Sequence, residues 1–99
     1  MKNIHIGKSE IMGRGLFTTD GLTKGDVVGV SHVAYDGIWY QVFPIGIFYN
    51  HSKNPNCIVE TTITNINLVI ADKDIEKDEE LTVDYTKQLY LEQPGKDWE

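Results

Sequence analysis

Apolar side chains recur at every second position through several short stretches of this chain and almost nowhere at helical spacing. Residues 2–6 place Ile4 and Ile6 on one side and Asn3 and His5 on the other, the pattern of a half-buried strand with His5 toward solvent. Thr23, Lys24, Gly25 and Asp26 read as a turn, and the β-branched run at residues 27–30 as a short buried strand after it. Residues 58–62 and 66–71 predict a hairpin about Ile63, Thr64 and Asn65, with Ile66, Leu68 and Ile70 on one face and Asn67 and Val69 on the other. A last short strand covers residues 81–83. Residues 38–43, dense in aromatic groups, fit either a strand or one turn of helix. Trp39 and Phe43 are assigned there to the core, the alternative being an exposed aromatic strip suited to contact with a second copy of the chain in a homodimer. So many short strands without a helical period predict a mainly β domain.

The pattern breaks at residues 49–57, Tyr49-Asn50-His51-Ser52-Lys53-Asn54-Pro55-Asn56-Cys57. Asn, Ser and Pro between apolar flanks spell a loop, yet the apolar run ending at Tyr49 leads straight into two side chains rich in hydrogen-bonding capacity. Asn50 both donates and accepts, and His51 offers two ring nitrogens, so a polar ligand could be held there with few further groups. The competing reading is a turn with a surface histidine. Upstream, Gly13-Arg14-Gly15 interrupts a second pattern, and glycines at that spacing either let the backbone approach another object closely or make a bulge.

Ninety-nine residues allow one domain, 1–99, with a single modest core. Nine basic against fifteen acidic side chains, a formal charge of −6, argue against direct nucleic-acid binding and for a cationic partner such as a basic protein tail. Acidity for solubility alone is the plainer alternative. No apolar stretch is long enough to span a bilayer, and no signal-like segment opens the chain, so a soluble, intracellular, non-secreted protein of cytoplasm or nucleus is expected. One cysteine excludes an internal disulfide and fits a reducing compartment, and with three histidines at no ligand spacing no metal is expected.

Three stretches in order, Gly13-Arg14-Gly15, Asn50-His51-Ser52 through Pro55-Asn56, and Glu79-Glu80-Leu81-Thr82-Val83-Asp84-Tyr85, resemble the motifs of the SET-domain protein lysine methyltransferases. The likeness covers about residues 4–86 and is poor at 31–45; residues 87–99 form a short tail. Such a chain is similar to the small viral members of the family. Lys53 stands where many members carry a zinc-binding cysteine, and Asp78 where they usually have glycine; aspartate tolerates the left-handed backbone that position implies. The resemblance implies a SET fold of small curved sheets (a β-clip) with a C-terminal pseudoknot that brings Asn50, His51 and Tyr85 together. It implies S-adenosyl-L-methionine as cofactor, held by Gly13, Arg14, Gly15, Asn50 and His51, the last two largely through backbone groups, with Tyr85 in the same pocket; outside any motif, Tyr49, next to Asn50, could line that pocket and Trp98 or Tyr90 could cover the adenine. The substrate would be a protein with an accessible lysine, a histone-like basic tail among the candidates.

Lysine methylation needs a neutral amine, and a narrow aromatic channel supplies one by disfavouring the charged form of a group whose reference pKa is about 10.4. It also needs nucleophile and methyl carbon held in line. Tyr85 is the candidate catalytic residue, offering a ring wall and a hydroxyl dipole. The rival readings are a SET-like module that binds basic peptides without catalysis and a small β domain acting as an oligomeric structural element.

Overall fold

The computed structural model describes residues 3–87. Eight strands are joined by tight turns: β1 (Ile4–Lys8), β2 (Arg14–Thr18), β3 (Val27–Tyr35), β4 (Ile38–Gln41), β5 (Asn50–His51), β6 (Cys57–Thr61), β7 (Ile66–Ala71) and β8 (Thr82–Val83). A four-residue helix, α1 (Ile45–Phe48), precedes β5, and a 3-10 turn at Tyr85–Lys87 follows β8. The mainly β class expected from the alternation is the class found.

The strands form three small sheets. β1 and β2 make an antiparallel hairpin, β4-β3-β7-β6 a four-stranded antiparallel sheet, and β5 and β8 a parallel pair of two residues each. Bridges from Phe17 to Glu80 and from Leu22 to Ile75 stitch the segment before β8 onto β2 and the loop after it. The core lies where the sheets meet, with Leu16 from β2, Val28 from β3, Val69 from β7 and Leu81 beside β8 wholly withdrawn from solvent. Its floor is α1. Gly46 lets that helix lie directly on β3, because a Cβ there would overlap the Ser31 carbonyl.

The predicted hairpin is present as β6 and β7, in register from Cys57 opposite Ala71 to Thr61 opposite Asn67. Its more deeply buried face carries Asn67, Val69 and Ala71, while Ile66, Leu68 and Ile70 are half-covered. Asn67 is tolerated inside because Thr61 Oγ1 donates to its side-chain oxygen at 2.6 Å and Ser31 Oγ reaches its carbonyl at 3.4 Å. Asp78 takes the left-handed conformation expected of it, φ 64°, and its amide donates to Thr18 O. His5 is exposed, stacked on Phe17.

One assignment is corrected. Residues 38–41 are a strand, but Phe43 is 67% exposed and is no core residue; Tyr35, Ile38 and Tyr40 are exposed with it, and Trp39 is half-buried. β4 is an outer strand paired only to β3, so apolar groups on it lack a covering layer, and Phe43 lies in the turn that leads from it to α1. Among the described residues no helix is long and apolar enough to cross a membrane.

Candidate active site

The parallel pairing of β5 with β8 sets Asn50 opposite Thr82 and His51 opposite Val83. Successive side chains of a strand point to opposite sides, so the two neighbours serve different surroundings. Asn50 is 9% exposed, and its Nδ2 lies 2.8 Å from Glu80 Oε2, 3.1 Å from Ser9 Oγ, 3.2 Å from Met12 O and 3.3 Å from Arg14 O. A carboxylate and two carbonyls only accept, which fixes the amide with its nitrogen toward them.

His51 turns the other way. Its Nδ1 accepts the Tyr85 backbone N–H at 3.0 Å, so the neutral ring carries its proton on Nε2. That atom is buried and has no hydrogen-bond partner among the described residues. The Asp84 carboxylate stands 3.8 Å from Nδ1, beyond hydrogen-bond reach.

Tyr85 ties the two strands together a second time. Its hydroxyl donates to Tyr49 O at 2.6 Å, and its ring packs against those of Tyr49 and His51 at centroid distances of 5.9 and 5.3 Å. Burial, with the Glu80 carboxylate adding to it, pushes the phenol up to about 12. Tyr85 is therefore a neutral hydroxyl across the working range of an enzyme.

Asn50, Tyr49 and Tyr85 border an open cleft of about 460 Å³ between the β1–β2 turn and α1, a volume ordinary for a small-molecule site. Of the positions predicted from sequence, Gly13, Arg14, Tyr49, Asn50 and Tyr85 line it. Gly15 and His51 stand outside the lining, Gly15 against the Glu80 side chain and His51 against the Tyr85 backbone. Trp98 and Tyr90 lie outside the described residues. Sequence reasoning missed Met12, Gln41 and Phe48, which also line the cleft, and Ser9 and Glu80, which bond to Asn50. For Glu80 the available signal was a carboxylate adjoining the apolar Leu81, a position where burial demands partners.

A second cleft, about 470 Å³, lies along β6 and β8 beside Cys57, Asp72 and Asp84. Burial first, then the Asp72 and Glu79 charges, push the Cys57 thiol up to about 12, which leaves it inert as a nucleophile. No three His, Cys, Asp or Glu side chains among the described residues group as a metal site would require.

Comparison with known proteins fits this geometry. The family model for the SET domain matches residues 31–86. A potential protein lysine methyltransferase of Saccharomyces cerevisiae is 42% identical over 57 residues, 58% of this chain but only 14% of that protein's length. Among solved structures, a candidate histone methyltransferase of Plasmodium falciparum superposes with a TM-score of 0.71 at 28% identity, covering 86% of this chain and 94% of that one. With the family model spanning more than half the sequence and the fold matching over most of it, the chain belongs to the SET-domain family, that of the protein lysine methyltransferases.

Proposed function

We propose that this chain transfers a methyl group from S-adenosyl-L-methionine to the side-chain amine of a lysine in a protein substrate. The observation that carries the reading is the convergence on one cleft of Asn50, with its amide nitrogen turned inward, and Tyr85, with its hydroxyl hydrogen already engaged by Tyr49 O. The lining suits such a cofactor. Asn50 Oδ1 is left to accept from an ammonium group, and the aromatic faces of Tyr49, Tyr85 and Phe48 suit a sulfonium. Gly13 and Arg14 border the same cleft, with open space beside the Gly13 Cα. When bound, the cofactor would supply an electrophilic methyl group on a cationic sulfur.

The chain's own residues do the rest. Withdrawal from water in a narrow channel disfavours the charged amine and so pulls its pKa below the reference value of about 10.4, freeing the lone pair for attack. Tyr85 cannot act as a base while its phenol titrates near 12. What it offers is a ring wall on the cleft and a hydroxyl dipole, its hydrogen engaged by Tyr49 O, to orient the amine or the methyl group. The charge of −6 favours a basic substrate segment.

The test is incubation of the purified chain with methyl-labelled cofactor and a panel of basic proteins, histones included, beside a calorimetric titration of the cofactor. Label recovered on lysine is the expected result. Binding without transfer to any member would leave a peptide-binding module, and no binding would exclude this use of the cleft.

A further inference from the structure

Glu80 sits where three separated stretches of chain meet. Its carboxylate takes the Ser9 hydroxyl, 2.8 Å from each oxygen, and the Asn50 amide at 2.8 Å. Its backbone is pinned as well, the carbonyl accepting from Asn56 Nδ2 at 2.7 Å and the residue bridging to Phe17. Ser9 extends the cluster: its oxygen accepts from Ile11 N at 2.9 Å and Met12 N at 3.3 Å, which shapes the turn leading into Gly13.

Space for this carboxylate comes from one glycine. A Cβ built on Gly15 would overlap Glu80 Oε2, lie 2.8 Å from its carboxyl carbon and 3.1 Å from Ser9 Cβ. Gly13 meets nothing within 4 Å and has φ +48°, so it serves the turn. The two glycines of one motif thus answer different demands, backbone conformation at the first and a neighbouring side chain at the second.

Resting on the cofactor reading above for its functional half, we propose that Glu80 is a positioning residue of the cofactor site. Gly15 makes room for its carboxylate, and the carboxylate holds the Asn50 amide with Nδ2 inward, so that Oδ1 is the atom presented to the cleft. A charge-assisted bond at 2.8 Å outweighs the longer contacts to Met12 O and Arg14 O. Without it only the longer contacts to Ser9 Oγ, Met12 O and Arg14 O oppose a flip of the amide, which is held more loosely, and a site that should offer an acceptor to the ligand's ammonium offers it less of the time.

The test uses Gly15→Ala, Glu80→Ala, Glu80→Gln and the double variant Gly15→Ala/Glu80→Ala. Without cofactor, Gly15→Ala should fold poorly or lower the urea midpoint sharply, and the double variant should recover most of that loss, because the side chain in the way has gone. In spectra of the 15N-labelled protein the Asn50 side-chain amide protons, shifted downfield and slow to exchange in the parent, should move to free-amide values in Glu80→Ala and much less in Glu80→Gln, which keeps an acceptor. The cofactor Kd should rise about tenfold in Glu80→Ala and about threefold in Glu80→Gln, with the loss falling on KM for the cofactor more than on kcat. Additive stability losses would show that Gly15 makes room for something else, and an unmoved Asn50 amide would show that Glu80 does not orient it. Either result overturns the proposal. A parent protein that binds no cofactor would sink the function proposed above and the functional half of this one, while the stability cycle and the amide signal, both read without cofactor, still decide the structural half.

Discussion

Tyr85→Phe is the perturbation with the most to say about mechanism, because it deletes one oxygen and keeps the ring. In the parent that oxygen makes a 2.6 Å hydrogen bond to Tyr49 O, and the ring meets Tyr49 and His51 through contacts that phenylalanine retains. Losing a half-buried hydrogen bond and leaving a carbonyl short of a donor costs about 1 to 2 kcal/mol of folding stability, which a small domain should survive. The effect on turnover is separable. If the hydroxyl is a preorganised dipole felt mainly in the transition state, its removal should slow methyl transfer roughly a hundredfold at saturating substrate, about 2.7 kcal/mol. Cofactor affinity should change by less than about threefold, since ring and backbone contacts persist. If the hydroxyl only braced Tyr49, which lines the same cleft, affinity and rate would fall together. The assay is single-turnover transfer of labelled methyl beside calorimetric titration, after circular dichroism shows the variant folded. Turnover within about threefold of the parent would remove the hydroxyl from the mechanism.

Asn56→Ala should cost about 2 to 4 kcal/mol by urea denaturation, because Asn56 is 7% exposed and satisfies both the Glu80 carbonyl at 2.7 Å and the Thr82 amide at 2.9 Å; a loss under about 1 kcal/mol would show that these backbone groups find other partners. Stability should also decline on the alkaline side. Cys57, raised from an ordinary 9.0 to about 12, and Tyr85, raised from 10.0 to about 12, keep in the folded state protons that the unfolded chain releases, so their contribution is complete below pH 9 and fades as pH climbs toward 12. Urea midpoints measured between about pH 8 and 11 should fall, with Cys57→Ala delaying the onset, and a level profile over that range would refute the assignment.

What was legible in the sequence is what local pattern controls. Alternation marked β1 and the β6–β7 hairpin because a two-residue period is the signature of an extended backbone with one face covered, the β-branched run at residues 27–30 marked only the start of β3, and the left-handed Asp78 followed from the residue type and its place in the motif. The helix α1 had no local signal. It is four residues long, contains a glycine and has no side-chain cap, and its stability comes from Gly46 lying against the Ser31 carbonyl of β3. Phe43 was placed in the core because hydrophobicity does not reveal that it falls in the exposed turn between the edge strand β4 and α1. In the site, Asn50 and Tyr85 were readable from motifs, but the bonds of Asn50 to Ser9 and Glu80 span 41 and 30 positions, a separation no local pattern reaches. For the same reason the purpose of Gly15 was visible only once its neighbour was known.

The position of the cleft follows from how this chain joins its sheets. A parallel ladder of two residues each is too short to hold β5 and β8 together by backbone pairing alone. Side chains complete the joint: Asn56 bonds to both sides of Leu81, His51 receives the Tyr85 amide, Tyr85 reaches back to Tyr49 O, and Glu80 takes the Asn50 amide. That is why Asn50, His51, Asn56 and Thr82 can be buried at this joint, as Ser31 and Asn67 are buried by their own bonds between β3, β6 and β7. Burying a polar group costs free energy that its bonds offset, so these bonds make the joint specific as well as tight. The cleft borders this seam, and Tyr49, Asn50 and Tyr85, which line it, also make bonds that hold the fold. Substitutions along the seam should therefore register in stability and in ligand binding at once, whereas changes at Tyr40, on the uncovered strand, or at Phe43, in the turn after it, should leave the joint intact.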